Sequence, residues 1–245
     1  MPLGLRRMPQ SQNALVKKLS GYLVLSGEEE SRLSELQSKP VRVKGGQELL
    51  QEGHVGRKVF IIQSGWASSY KDLPDGGRQI ISFPVAGDCV GLRSVLLRTS
   101  DHSFSALTDA QLHTIDSGPL MQLFDEFPRI RAGFLWSAAR DEAMAVEHLV
   151  SVGRRSALQR TAHFFMELAE RLALVGLATE THFKCPLNQY VLADALGLSA
   201  IHVNRVLRVL REQKLLTIRT GTVVIHDLAG LRRLASYKSV NPDRI

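Results

Sequence analysis

The hydrophobic period of this chain changes at Pro128, and that change limits the fold more than any other feature. Before it, apolar residues come in short runs, Val59-Phe60-Ile61-Ile62, Gln79-Ile80-Ile81-Ser82-Phe83 and Gln111-Leu112-His113-Thr114-Ile115. Nine of the 19 glycines fall between Gly45 and Gly91, among and between those runs. Strand-length segments punctuated by turn residues predict a compact all-β sandwich or roll. Asp75-Gly76-Gly77 is set as a hairpin tip, because glycine supplies the positive φ of a tight turn. After Pro128 the residues Ile130, Phe134, Leu135, Ala138, Ala145, Leu149 and Val152 recur at helical spacing, which predicts one long helix. The chain is therefore of the α+β class.

Capping residues place the other helices. Ser26 precedes Glu28, Glu29 and Glu30, where carboxylates suit a helix N-terminus, and predicts a helix to Leu36. A further helix is predicted from Ser156 to Leu174, with Leu158, Ala162, Phe165, Leu168, Ala169 and Leu172 on one face, followed by a polar break from Gly176 to Pro186. The long helix carries small residues (Ala138, Ala139, Ala145) along its stripe, which admits close approach of a second copy in a coiled-coil-like seam. The expected organisation is a flexible lead over 1–18, a β-roll over 19–127, a dimerisation helix over 128–153 and a C-terminal domain over 154–245.

Charge divides the chain at the same place. The net charge is +7, from 31 Lys+Arg against 24 Asp+Glu. Residues 1–153 hold 17 of each sign, so the whole excess, 14 against 7, lies in residues 154–245. A basic excess confined to one small domain points to an anionic partner.

Within that domain, the segment from Asn188 to Leu210 holds two potential N-caps, Asn188 and Ser199, and a glycine, Gly197, between two short amphipathic stretches. Leu192, Ala193, Leu196, Leu198, Val203, Val206 and Leu207 form the inside of the pair. Two capped helices joined by a tight glycine-containing turn predict a helix-turn-helix. Leu215-Leu216-Thr217-Ile218 and Val223-Val224-Ile225 flank Arg219-Thr220-Gly221-Thr222, a hairpin with a basic tip that predicts a wing. The second helix of such a motif enters the major groove of double-stranded DNA. Base contact is expected from Ile201, His202 and Arg205, phosphate contact from the N-caps Asn188 and Ser199, and phosphate or flanking contact from Gln189 and Arg208.

Other chemistries find little support. No P-loop, HExxH, GxSxG or dinucleotide fingerprint occurs, and the carboxylate pairs Asp125-Glu126 and Asp141-Glu142 are adjacent in sequence, so no enzyme is expected. Cys89 and Cys185 stand alone, too few for a disulfide framework or a cysteine-ligated metal. His113 and His148 are single candidates for a haem ligand. With no run of about 18 apolar residues and no secretory leader, the expected location is cytoplasmic, with no membrane partner.

The arrangement resembles the Crp/Fnr superfamily of bacterial transcription regulators over about Leu19 to Leu234. The most specific pieces are Gly53…Val59-Phe60-Ile61-Ile62-Gln63-Ser64-Gly65…Gly87-Asp88…Gly91 in the roll and Leu192-Ala193-Asp194-Ala195-Leu196-Gly197-Leu198-Ser199…Val203-Asn204-Arg205 in the reader. The resemblance implies an N-terminal double-stranded β-helix of cyclic-nucleotide-binding type, a dimerisation helix and a winged helix-turn-helix. It also implies a homodimer on a palindromic operator, with RNA polymerase as a further partner and Arg205 as the reader of a guanine.

Three departures shape what is expected. Members that bind cyclic AMP carry a glutamate after the Gly91 position and an arginine further on; here those positions hold Leu92 and His102. Members with an iron–sulfur cluster carry N-terminal cysteines, and residues 1–26 have none. Many members place glutamate where Ile201 stands, so the half-site should differ from theirs. No cofactor is expected; the alternatives are gating by haem or another small molecule, or a redox switch through Cys89 or Cys185.

Overall fold

The structure is a computed structural model that describes residues 13–37, 40–55 and 57–239. Two N-terminal helices, α1 (Ala14–Ser20) and α2 (Gly27–Leu36), lead into β1 (Val41–Val43), β2 (Glu48–Leu50), β3 (Lys58–Ser64), β4 (Ala67–Asp72), β5 (Arg78–Ser82) and β6 (Cys89–Val90). A short helix α3 (Leu92–Leu97) precedes β7 (Ser103–Ala106) and β8 (Ala110–Asp116), followed by α4 (Ser117–Glu126) and the long α5 (Pro128–Arg154). The strands form two antiparallel sheets, in the orders β1-β8-β3-β6 and β2-β7-β4-β5. Interlaced order of this kind makes a roll, and its inside is filled by Val43, Leu50, Ile62, Val90, Phe104 and Leu112.

The expected flexible lead is corrected in part. Residues 1–12 lie outside the described residues, but Asn13 caps α1, its Oδ1 accepting from Leu15 N and Val16 N at 3.0 and 3.2 Å. Leu15, Val16 and Leu19 are buried against Val59, Ile61, Ile115 and Phe134. Gly87 fixes the close approach of α1: a Cβ there would lie 2.7 Å from the Ala14 carbonyl oxygen, and its φ is +87°. The Ser26 and Ser156 caps are both closed as capping boxes, with Glu29 and Gln159 returning the bond.

The stripe predicted on the long helix separates into two faces. Ile130 and Phe134, with Gly133, Ser137 and Arg140, are buried against the chain's own roll. Leu135, Ala138, Glu142, Ala145, Leu149 and Val152 are exposed. Their alternating spacing of three and four is the 3.5-residue period of a two-helix seam.

Beyond α5 come α6 (Ala157–Leu174), β9 (His182–Lys184), α7 (Gln189–Leu196), α8 (Ala200–Glu212), β10 (Leu216–Arg219), β11 (Thr222–Ile225) and α9 (Leu228–Ala235). The predicted polar break contains β9, which joins the wing by pairing with β11. Its signal was slight because one residue, Phe183, is buried in a three-residue strand. The core of the basic domain extends into the roll: Phe165, Leu168, Leu172, Leu192 and Leu196 are continuous with Trp66, Tyr70, Ile80, Phe83 and Val85. Among the described residues no helix is long and apolar enough to cross a membrane.

Candidate nucleic-acid interface

Local chemistry builds the helix-turn-helix as its sequence predicts. Asn188 Oδ1 accepts from Tyr190 N and Val191 N at 2.9 and 3.0 Å, and Ser199 Oγ accepts from His202 N at 3.2 Å. Each cap spends an acceptor and keeps a donor, the Asn188 amide N–H groups and the Ser199 hydroxyl hydrogen. Donors beside free helix N–H groups are what a phosphate oxygen requires. Between the helices Gly197 takes φ +61° and ψ 44°, the left-handed conformation that lets Leu198 N reach Ala193 O at 3.1 Å. The Arg160 guanidinium donates to Leu196 O at 2.9 Å and ties this turn to α6.

The recognition helix α8 buries Val203, Val206 and Leu210 and turns the opposite face to solvent. Ile201, 75% exposed, stands at the centre of that face. Arg205 is exposed and makes no ion pair among the described residues, whereas Arg208 Nε lies 3.8 Å from Glu212 Oε1. Gln189 is half-buried and Asn188 exposed at the start of α7, beside an exposed Tyr190 that the sequence reading did not single out. The structure thus brings Ile201, Arg205 and Arg208 onto one face, with Asn188, Gln189 and Ser199 at the two helix starts. His202 is exposed but lies on the flank, roughly 100° round the helix from Ile201.

The wing sits at the end of a three-stranded sheet ordered β10-β11-β9. Arg219 pairs with Thr222 across a two-residue tip, Thr220-Gly221, whose φ values are +48° and +68°. Both central residues at positive φ make the hairpin turn that matches strand twist. Lys184 Nζ donates to Thr222 Oγ1 at 3.1 Å beside that tip.

In the roll, Leu92 and His102 stand at the two positions singled out for a cyclic nucleotide. Leu92 packs against the apolar core and has no acceptor for a ribose hydroxyl. His102 shares a hydrogen bond with Asp101, Nδ1 to Oδ1 at 2.7 Å, and its ring lies 4.5 Å from that of Phe104. Burial lowers the His102 pKa even against the pull of Asp101, so at neutral pH the ring is uncharged beside a carboxylate. Asp101 Oδ2 also accepts from Arg93 Nη2 at 2.8 Å, so both of its oxygens are engaged, one by His102 and one by Arg93.

The sulfur and imidazole candidates are equally weak. Burial pushes the Cys89 thiol up to about 12 and the Cys185 thiol up to about 11, which leaves little thiolate at neutral pH. His113, on β8, faces Ile61 in the sheet register, and His148 is on α5 with its pKa lowered by burial and by Arg160. Among the described residues no group of three or more His, Cys, Asp or Glu is placed to hold a metal ion.

Comparison with known proteins agrees with this geometry. The cyclic nucleotide-binding domain family matches residues 40–127, and the Crp-like helix-turn-helix domain family matches residues 159–234. The transcriptional activatory protein AadR of Rhodopseudomonas palustris is 31% identical over 198 residues, 80% of this chain and 81% of that protein. The nitrogen fixation regulation protein FixK of Rhizobium meliloti is 29% identical over 196 residues, 79% of this chain and 85% of that protein. The structure of FixK2 from Bradyrhizobium japonicum shares the fold with a TM-score of 0.73 at 24% identity, over 82% of this chain and 98% of that one. A CooA variant from Carboxydothermus hydrogenoformans does so with a TM-score of 0.66 at 18% identity, over 94% of this chain and 98% of that one. A nucleotide-binding-type roll, a long helix and a winged helix-turn-helix in this order, with a relative this similar over most of its length, place the chain in the Crp/Fnr family of DNA-binding transcription regulators, a family without enzymatic activity.

Proposed function

We propose that this regulator acts as a homodimer, formed along α5, that sets two recognition helices in the major groove of a palindromic operator. The observation that carries the dimer is the exposed row Leu135, Ala138, Glu142, Ala145, Leu149 and Val152. Leu135, Leu149 and Val152, at 62%, 72% and 37% exposure, leave an apolar row open on a helix whose other face is packed. Two-fold symmetry of the seam matches two-fold symmetry of the operator. Arg205, which makes no ion pair among the described residues, suits the O6 and N7 acceptors of a guanine in each half-site, and Ile201 suits a thymine methyl. Asn188, Gln189, Ser199, Arg208 and the wing residue Arg219 face the phosphates. The regulator works in the cytoplasm, where it meets RNA polymerase, and it does so without cyclic AMP or an iron–sulfur cluster.

Two measurements test this. Sedimentation of dialysed protein should give a dimer, and site selection from random duplexes at one near-physiological salt concentration should return a palindrome with G in each half-site. Added cyclic AMP should change neither the sequence selected nor the affinity. A monomer, or an asymmetric site, would defeat the proposal.

A further inference from the structure

The turn between α7 and α8 is held from three sides by side chains that belong to other parts of the chain. The last carbonyls of α7 have no partner within their own helix, as at any helix C-terminus. Leu196 O accepts from Arg160 Nη1 of α6 at 2.9 Å, and Ala195 O accepts from Gln79 Nε2 of β5 at 3.3 Å. The long helix closes the third side: a Cβ on Gly197 would lie 3.6 Å from Val152 Cγ1 and 3.7 Å from Arg160 Nη1, both ordinary contact distances.

Arg160 has little other employment. It makes no ion pair among the described residues, its Nε is buried without a hydrogen-bond partner, and the bond to Leu196 O is the one its guanidinium makes there. A donor left unsatisfied in this way costs stability, so packing alone does not account for an arginine at the site. Gln79 reaches from the roll, its amide shared between Ile80 O at 2.9 Å and the α7 carbonyl 116 residues away.

Val152 is the last residue of the row exposed on α5, and it also abuts the turn. Ser199, the cap of α8, follows Gly197 by two residues, so whatever fixes the turn fixes the start of the recognition helix. In a dimer built along α5, the path from the two-fold axis to each recognition helix runs through Val152, Gly197 and Ser199. Arg160 and Gln79 hold the turn against that stop.

A dimer on a palindrome reads the bases within each half-site and also the separation of the two half-sites. One base pair more or less displaces a half-site by about 3.4 Å and rotates it by roughly 35°. A rigid path from seam to α8 rejects that displacement, and a loose one accepts it. We propose that Arg160 and Gln79 are positioning residues that set which half-site spacing the dimer accepts, without touching a base. The inference rests on the dimer along α5 with α8 in the major groove, and the test separates its failure from theirs.

Full-length wild type, Arg160→Ala, Arg160→Lys and Gln79→Glu are titrated at one salt concentration on duplexes carrying the wild-type half-sites at the selected spacing, and at spacings one base pair longer and shorter. Wild type should prefer one spacing. Arg160→Ala should reduce that preference roughly tenfold, the worth of a hydrogen bond from a charged donor, and Arg160→Lys, which keeps a donor, should restore part of it. Gln79→Glu sets an acceptor against the Ala195 carbonyl and should relax the spacing as well. Base preference within each half-site should be unchanged in all three. Thermal melts and sedimentation show which variants are folded dimers; if Arg160→Ala is not, Arg160→Lys and Gln79→Glu carry the test. Folded, dimeric variants that keep the wild-type spacing preference would overturn the proposal, as would equal losses on all three spacings, the mark of a merely structural role. Wild type that sediments as a monomer, or binds a single half-site as tightly as the palindrome, would defeat the dimer reading and the spacing assignment with it.

Discussion

Asp88 Oδ2 accepts from Arg171 Nη2 at 2.8 Å, and Asp88 Oδ1 accepts from Lys18 Nζ at 2.7 Å. One carboxylate in the roll thus holds an N-terminal helix with one oxygen and the DNA-binding half with the other. Arg171 also donates to the Phe83 carbonyl oxygen at 2.9 Å, and Val85 N donates to Asp88 Oδ2 at 2.8 Å. All three charged side chains are almost wholly buried, at 5% exposure for Lys18, 13% for Asp88 and 7% for Arg171. Removing Asp88 takes from the buried Lys18 its 2.7 Å partner and leaves Arg171 with the more distant Glu167, at 3.7 Å. Asp88→Asn should therefore cost about 3–5 kcal/mol, read as a shift of the denaturant midpoint in a circular-dichroism titration. A loss below about 1 kcal/mol would show that water reaches these charges.

The same carboxylate sets a pH dependence. Burial alone would raise its pKa, but Lys18 and Arg171 carry it down to about 2, below the unfolded value near 3.8. A depressed carboxylate contributes stability above its unfolded pKa and loses it as pH falls through the folded one. Wild type should thus lose stability between about pH 4 and pH 2 more steeply than Asp88→Asn. Parallel acid-unfolding curves for the two proteins would contradict this.

Glu142 interrupts the otherwise apolar or small-residue row exposed on α5. In a dimer built along α5 the two copies of Glu142 face each other near its middle, where like charges oppose association. Glu142→Leu should tighten the dimer at least about tenfold, and Leu149→Glu should give monomers that lose the palindromic site. Analytical ultracentrifugation across a dilution series reads both. Unchanged association in Leu149→Glu would place the interface elsewhere.

Arg205 and Arg208 carry the same charge and should behave differently. Arg205→Ala is expected to cost roughly 1–3 kcal/mol on the operator and to relax preference at one base pair. Arg208, already 3.8 Å from Glu212, should weaken all sequences by a similar, smaller amount when replaced by alanine. Gel-shift titrations on operator and scrambled duplexes separate the two.

Neither thiol should govern DNA binding. With Cys89 and Cys185 held protonated at neutral pH, a thiol reagent should label the folded chain far more slowly than the chain in denaturant. Fast labelling of native protein with loss of operator binding would restore the redox alternative.

Much of this architecture is legible in the sequence because it is local. Ser26, Ser156, Asn188 and Ser199 are caps whose partners lie within three residues, and the roll strands are apolar runs set off by turns. What the sequence hides depends on distant partners. The apolar residues of α1 acquire meaning only against Gly87 and the roll, and β9 is a strand only because β11 pairs with it. Arg171 reads as one more charge on a helix until Asp88, 83 residues away, is placed beside it.

The interior shared by the roll and the DNA-binding half limits how this regulator can be recombined. A graft of its reader onto another sensor, cut at Arg154, would strip Phe165, Leu168 and Leu172 of Tyr70, Ile80 and Phe83, and would leave Arg171 without Asp88. Such a chimaera needs a host that offers an equivalent apolar face and a carboxylate at the same height. The unit that can be exchanged is the reader together with the strip of roll on which it rests.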